Sequence, residues 1–239
     1  MSGPAGQPEI GVWGCGRMGS ALARALAVAG QPVVVATGRP GRAATTLAGV
    51  PGCRATDPDS MLRQATMVLL ALPFPVALHA LRGPAGRIGA GRTLVDMTNP
   101  ALGAGQPQNA VLGTGDTLPP SMSGGELIAH AASGWRVAKA FNTLSADALT
   151  HWPADGGPVC VPVASDHPSG RREVFELVLR LGLHPVDAGG IASSREMEAM
   201  AVLFARISSR HRLRGQIGIH IGRSDRVATV GEVPCPVSR

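Results

Sequence analysis

The feature that most constrains this chain is the glycine run GCGRMG, from Gly14 to Gly19. It follows an apolar stretch at 10–13 and opens an alanine- and leucine-rich segment at 18–29, which predicts a strand, a tight turn and a helix. In such a turn Gly14 permits the bend, Gly16 lets backbone amides approach a pyrophosphate, and Gly19 lets the helix pack closely on its strand. A second apolar stretch at 33–36 completes the unit. The predicted dinucleotide site comprises Gly14, Cys15, Gly16, Arg17, Met18 and Gly19.

The residues after the second strand bear on which dinucleotide is bound. NAD sites usually place an acidic residue there, which binds the ribose 2′-hydroxyl. Here the sequence is TGRPGR, residues 37–42, with no carboxylate. Because guanidinium groups pair bidentately with phosphate oxygens, we expect Thr37, Arg39 and Arg42 to favour the 2′-phosphate of NADP. The alternative is that both arginines simply solvate a loop, since arginine is frequent in this chain.

Composition excludes several classes of protein. The 239 residues are 44% apolar, enough for one large α/β domain with a small appendage. The chain lacks an apolar run of about 18 residues and a basic, apolar leader, so we expect a cytoplasmic protein without a membrane span. The four cysteines have no CxxC spacing, so we expect neither a metal site nor a disulfide framework. The net charge of +6 comes with 3% aromatic residues and no recognition motif, which favours small anionic cofactors over nucleic acid.

Strand and helix patterns alternate along most of the chain. Strands are predicted at 10–13, 33–36, 67–72, 93–97, 136–141, 159–164 and 184–186, with one more at 216–221. Helices are predicted at 18–29, 43–48, 126–132, 144–149, 171–181 and 193–207. One more helix is predicted to begin after Asp57, which caps it, and to end at residue 64. This rhythm predicts an α/β Rossmann-type fold, a doubly wound and mostly parallel sheet with a small C-terminal α/β extension. We expect a flexible tail at 1–8, an NADP-binding domain at 9–141, a smaller subdomain at 142–222 and a tail at 223–239.

A set of motifs in fixed order points to a known family. The motifs are VWGCGRMGSALARAL, VVVATGRP, LLALPFP, DMTNP, VAKAFNTLSADAL, VPVASD and HPVDAGGIASSREMEAM. Together they resemble the coenzyme F420-dependent NADP oxidoreductase family over residues 9–222. They are also similar to the cytosolic oxidoreductase domain of the six-transmembrane metalloreductases, although this sequence has no membrane helices like theirs.

The resemblance implies a Rossmann-fold oxidoreductase that uses NADP and a second coenzyme, F420 or a flavin such as FMN or FAD. It places 15–18 at the pyrophosphate and Thr37 and Arg39 at the 2′-phosphate. The nicotinamide side would then be formed by Leu72, Pro73, Ala140, Asn142 and Thr143. Asn99 is either part of this site or the cap of a turn beside Pro100. The second coenzyme would lie near Gly189, Gly190, Ser193 and Ser194.

The absent residue types indicate the chemistry. The chain has no tyrosine, and Lys139 is its only lysine, so the Tyr/Lys acid of short-chain carbonyl reductases is impossible. A deazaflavin or flavin ring delocalises the charge of a transferred hydride, so we expect no catalytic side chain and hydride transfer between NADP(H) and such a ring. One alternative is reduction of an imine, with Glu196 or a histidine as proton donor. Another is a non-catalytic NADP-sensing subunit. We also expect a homodimer.

Overall fold

The computed structural model describes residues 9–39, 41–100, 111–112, 116–117, 121–150 and 158–221. These residues form ten strands and eight α-helices. The strands are β1 (Ile10–Trp13), β2 (Val33–Ala36), β3 (Cys53–Thr56), β4 (Met67–Leu70), β5 (Thr93–Asp96), β6 (Val111–Leu112), β7 (Asp116–Thr117), β8 (Arg136–Lys139), β9 (Cys160–Val163) and β10 (His184–Asp187). The helices are α1 (Arg17–Val28), α2 (Arg42–Thr46), α3 (Pro58–Gln64), α4 (Phe74–Arg82), α5 (Gly124–Ala131), α6 (Ala146–Thr150), α7 (Pro168–Arg180) and α8 (Ser194–Arg210).

Six strands form one parallel sheet in the order β3-β2-β1-β4-β5-β8. The strand order runs outward from β1 in one direction and from β4 in the other, so the chain reverses its course across the sheet between these two strands. In open parallel sheets, ligands bind outside the carboxyl ends of the strands at such a reversal. The predicted fold class, a Rossmann-type doubly wound sheet, is confirmed.

The sheet is buried on both faces. Val12 of β1 packs in a cluster with α1 and α7, whereas the next residue, Trp13, packs in a second cluster with α3, α4 and α5. Strands covered on both faces read as continuous apolar runs rather than alternating ones. That is why β2 has the sequence VVVA and β4 the sequence MVLL, with every residue buried.

The C-terminal extension is a β-α-β unit built from β9, α7 and β10. β9 and β10 pair in parallel, and an antiparallel bridge between Lys139 and Ala164 links this pair to β8. Val161 of β9 and Val174 of α7 belong to the same apolar cluster as Val12. The extension therefore shares a core with the sheet, and the division at residue 141 stays a proposal.

Some elements differ from those predicted. β3 and α4 were not predicted, and residues 216–221 form a bridge from Ile219 to Cys160 instead of a strand. Between residues 101 and 120, the described residues form the short antiparallel pair β6 and β7, which was not predicted. The predicted tails at 1–8 and 223–239 lie outside the described residues. Among the residues that are described, no helix is long and apolar enough to cross a membrane.

Candidate functional site

The glycine loop has the geometry that its sequence predicts at the first glycine. Gly14 has φ +119°, and a Cβ built there would lie 2.4 Å from the carbonyl oxygen of Ala71. Its N–H donates to the carbonyl of Ala36 at 2.8 Å, which ties the turn to the end of β2. Only glycine fits this position, because any side chain would collide with the backbone that follows β4.

The other two glycines have different surroundings. A Cβ built on Gly16 meets no heavy atom within 4 Å, whereas one built on Gly19 would lie 2.1 Å from the carbonyl oxygen of Gly14. Gly16 is also the N-cap of α1, which has no side-chain cap and no acidic residue in its first turn. The N–H groups at this helix start are therefore available to an anion in open space, while Gly19 keeps the helix close to the turn.

The side chains between these glycines point in different directions. Cys15 is buried in the apolar cluster of β1, and Met18 is half-buried against it. Arg17 is 83% exposed and pairs with Asp147 of α6 at 3.1 Å. An ion pair this exposed contributes about 0–1 kcal/mol, so the Arg17 guanidinium is free to turn toward a phosphate.

A second part of the site follows β2. The Thr37 hydroxyl accepts from the N–H of Arg39 at 2.9 Å and closes a small turn. The guanidinium groups of Arg39 and Arg42 are exposed and have no partner among the described residues. Thr37 and Arg39 line a cavity of about 390 Å³ with apolar walls from Ala43, Ala44 and Pro58, whereas Arg42 is not among the residues that line it.

The carboxylate of Asp57, which was not predicted to be part of the site, lines the same cavity. Asp57 was predicted only as the cap of α3, and it does accept from the N–H of Ser60 at 2.8 Å. It also lines the cavity with Arg39, because β3 pairs with β2 in the register Ala36 to Thr56. Hydrogen bonds from the side chain and backbone of Ser60 lower the pKa of Asp57, so its carboxylate is charged at neutral pH.

Two asparagines meet at the carboxyl ends of β5 and β8. The Asn99 side chain donates to the backbone carbonyl of Asn142 at 2.7 Å, and the Asn142 side chain donates to the Asn99 amide oxygen at 3.0 Å. Asn142 also donates to the carbonyl of Met197 in the first turn of α8 at 3.0 Å. Asn99 is therefore more than a local turn cap, since it links the segment after β5 to the segment after β8, and Asn142 extends this link to α8.

Buried oxygen atoms without partners lie beside this pair. Asn142 Oδ1 and Thr143 Oγ1 are buried and have no hydrogen-bond partner among the described residues. Both residues line a cavity of about 640 Å³ with Asn99. Phe141, just before them, has φ +61°, a strained conformation for a bulky residue. Buried polar atoms normally have a partner, so these two oxygens are available to hydrogen-bond a water molecule or a polar ligand.

A buried ionic cluster lies behind the asparagines. Lys139 is fully buried, and its Nζ lies 2.8 Å from Asp96 Oδ2 and 2.8 Å from Glu198 Oε1. Glu198 also accepts from the N–H groups of Gly124 and Gly125, at the start of α5. Burial alone would lower the pKa of Lys139, but the charges of Asp96 and Glu198 outweigh burial and raise it. Glu198 therefore links α8 to β8 and to the start of α5.

The remaining predicted residues are divided between the cavity side and the core. Leu72 is half-buried and Pro73 exposed at the carboxyl end of β4, on the same edge of the sheet as the glycine loop. Ala140 is fully buried in the apolar core, so its side chain does not reach the cavity. The segment 189–194 lines neither cavity described above, because its backbone is held by Ser165, Asp166 and Arg171.

The comparisons with known proteins agree with this geometry. Residues 9–100 match the model of the family described as NADP oxidoreductase, coenzyme F420-dependent. A crystal structure assigned provisionally as an F420-dependent NADP reductase from Arthrobacter sp. FB24 is 26% identical, with TM-score 0.75, and the match covers 90% of this chain and 99% of that one. The resemblance to this family is confirmed. This resemblance and the fold together indicate an NAD(P)-dependent oxidoreductase.

Other similar proteins are named for different activities. The metalloreductase STEAP3 of Rattus norvegicus is 29% identical over 197 residues, which is 82% of this chain but only 37% of that protein's length. An imine reductase from Pseudomonas sp. is 15% identical with TM-score 0.63, and the match covers 87% of this chain and 65% of that one. A reductive aminase from Aspergillus terreus, solved with NADPH, is 17% identical with TM-score 0.58, over 87% and 64% of the two chains. The last two likenesses show a shared fold.

Proposed function

We propose that this protein transfers hydride between NADP(H) and a deazaflavin (F420) or flavin coenzyme. NADP(H) supplies or accepts the hydride at its nicotinamide ring. The residues present fit this dinucleotide. The open space at Gly16 and the uncapped start of α1 accommodate a pyrophosphate, and Arg39 offers a guanidinium to a 2′-phosphate.

The nicotinamide end of the cofactor would be held by the asparagine pair. The buried Asn142 Oδ1 can accept from a carboxamide N–H, and the Thr143 hydroxyl can donate to a carboxamide oxygen. Because Asn142 is fixed by Asn99 and by Met197, its free oxygen has a set direction before any ligand arrives. Such preorganisation holds a ring in one plane, which orients it for transfer to a second ring.

The observation that carries the proposal is the chemistry of the 640 Å³ cavity. The described residues that line it supply amides, hydroxyls, apolar groups and two guanidiniums, but no carboxylate, imidazole or ammonium. Reduction of a carbonyl leaves an alkoxide that needs a positioned acid, worth about 10²- to 10⁴-fold in rate. A deazaflavin or flavin ring needs none, because the charge is delocalised and solvent protonates the ring later.

The proposal is tested by mixing the protein with NADPH and oxidised F420, and in parallel with FMN and FAD, without added metal. We expect the absorbance of at least one ring system to bleach. With F420, deuterium from the nicotinamide should also appear on the reduced ring, where it is bound to carbon; on a reduced flavin it would be bound to nitrogen and exchange with solvent. His130, His184 and Glu196 are exposed and do not line the cavity, so their alanine variants should retain turnover within about tenfold. His151 lies outside the described residues, and its alanine variant belongs in the same series.

A second candidate is reduction of a small imine, which the shared fold with imine reductases favours. It requires a proton donor near the nicotinamide. Full activity on a cyclic imine, with F420, FMN and FAD all inert, would establish this alternative, and a 10³-fold loss in one of the alanine variants would identify the donor. Tight NADPH binding without turnover of any of these compounds would instead indicate a non-catalytic sensing subunit.

We further propose that the protein is cytoplasmic and forms a homodimer, and that it uses a domain at 9–141 and a subdomain at 142–222. Light scattering on the purified chain measures the oligomeric state directly. A mass of one chain, 24.4 kDa, at micromolar concentration would contradict the homodimer.

A further inference from the structure

One wall of the 640 Å³ cavity carries unpaired positive charge. Arg212 and Arg214 both line the cavity, both are exposed, and neither guanidinium has a partner in the part of the chain that the structure describes. Asp147 lies near this wall, 3.9 Å from a Cβ built on Gly215, but it pairs with Arg17. The described lining therefore contains two cations and no anion.

The backbone that presents these arginines is strained. Arg212 has φ +54° and Arg214 has φ +50°, a left-handed conformation that long side chains rarely adopt. Of the four non-glycine residues with positive φ in the described ranges, these two line the cavity and Phe141 lies next to it. Strain of this kind clusters at binding sites, where surrounding contacts hold it in place.

Specific hydrogen bonds fix this strained turn. The Ser208 hydroxyl accepts from the N–H of Gly215 at 2.8 Å, and the Ser145 hydroxyl donates to the carbonyl of Gly215 at 2.7 Å. The turn is therefore anchored to α8 and to the start of α6. The arrangement places two exposed arginines and the buried oxygens of Asn142 and Thr143 on the lining of one cavity.

We infer that the second substrate carries a phosphate arm, which Arg212 and Arg214 bind while its ring lies in the cavity. Guanidinium groups bind phosphate through charge-assisted, often bidentate hydrogen bonds. Two cations on a lining whose described residues include no carboxylate also attract an anionic ligand before contact. This inference rests on the proposed function, because it assumes that the ring accepts or donates the hydride.

The experiment compares pairs of substrates that have the same ring, one member with a phosphate-bearing arm and the other without it. FMN is paired with riboflavin, and F420 with 8-hydroxy-5-deazariboflavin, each at saturating NADPH. We expect the phosphorylated member of at least one pair to have a KM lower by about tenfold or more, with kcat similar within the pair. If no ring in either pair oxidises NADPH, the proposed function fails and the inference falls with it. If both members react with equal KM, the inference alone is overturned.

Variants assign the effect to the two arginines. Arg212→Asn with Arg214→Asn removes both charges, and asparagine tolerates positive φ, so the turn is retained. We expect the KM advantage of the phosphorylated substrate to disappear, with the KM of the unphosphorylated one unchanged within twofold. The corresponding lysine pair should recover part of it. The control, Arg206→Gln with Arg210→Gln, removes two exposed charges of α8 that do not line the cavity and should leave the KM ratio unchanged.

Two outcomes overturn the assignment. An unchanged KM ratio in the asparagine pair shows that the arginines do not bind the phosphate arm. A rise in the KM of NADPH in that pair, without a change in the KM ratio of the second substrates, shows that they contact NADPH instead.

Discussion

Replacement of Lys139 by methionine removes the only cation of the buried cluster behind the asparagine pair. The Nζ atom contacts Asp96 and Glu198 at 2.8 Å each and donates to the carbonyl of Thr98 at 2.8 Å. Asp96 is 0% exposed and Glu198 12% exposed, so neither carboxylate has water to replace the ammonium. Removing one partner of such a buried pair costs about 3–5 kcal/mol, because it leaves uncompensated charge.

The expected loss is a large part of the total stability, which for a native domain is about 5–15 kcal/mol. A chain of this size changes its Tm by about 2–4 °C per kcal/mol, so Lys139→Met should lower Tm on the order of 10 °C. Urea unfolding gives the corresponding change in free energy from the midpoint and slope. The control is Arg54→Met, which breaks a pair with Glu9 whose side chains are 48% and 32% exposed and should cost less than about 1 kcal/mol.

The origin of the loss is tested by a second change. Adding Asp96→Asn to Lys139→Met removes one of the two uncompensated charges and keeps an oxygen that accepts from the N–H of Thr98. The double variant should then be more stable than Lys139→Met. If the loss of unfolding free energy in the double variant instead equals the sum of the losses in Lys139→Met and Asp96→Asn, uncompensated charge is not the cause.

The pH dependence follows from the raised pKa of Lys139. A cation whose pKa is higher in the folded state than in the unfolded state stabilises the folded protein fully at pH values below the unfolded-state pKa, about 10.4 for lysine. This stabilisation is lost as the pH rises through the folded-state pKa. The difference between the parent chain and Lys139→Met should therefore persist from pH 7 to pH 9 and shrink only at strongly alkaline pH.

Three further predictions concern the dinucleotide site. Gly16→Val should abolish NADPH binding, measured by titration, without a change in Tm, because its side chain enters open space; a Gly16→Val protein that binds NADPH normally contradicts the loop assignment. Gly19→Val should abolish binding and also lower Tm, because its side chain collides with Gly14. NADPH should bind at least about tenfold more tightly than NADH, and Arg39→Ala should reduce that ratio; equal affinities in the parent chain refute the 2′-phosphate site. Asp57→Asn keeps the helix cap but removes a charge, so NADPH affinity should rise severalfold with NADH little changed, and a fall would show that the carboxylate contacts the cofactor favourably.

Sequence patterns predicted most of the sheet because its strands are buried on both faces and carry unbroken apolar runs. They failed at β3, whose sequence CRAT is half-exposed and contains an arginine. They also failed at α4, where no helix was predicted in the segment that contains Pro73 and Pro75. Proline at the first positions of a helix is well tolerated, since its missing N–H would have no partner there, and Pro75 lies in that first turn.

The parts of the site that were missed depend on contacts between distant residues. Asp57 meets Arg39 only through the pairing of β3 with β2, so the omission of β3 also concealed this carboxylate. Glu198 accepts from Gly125, 73 residues away, and no local pattern specifies that contact. The glycine loop was predictable because its function requires a short, continuous stretch of backbone.

The burial of Lys139 has a further consequence for the protein's surface. It is the only lysine in the chain, so every other basic side chain except histidine is an arginine, and no lysine amine is exposed among the described residues. Reagents and enzymes that acylate lysine therefore reach their one side-chain target only when the protein opens around this buried cluster. The rate at which Lys139 is acylated would follow the opening of this protein at a single, chemically unique position.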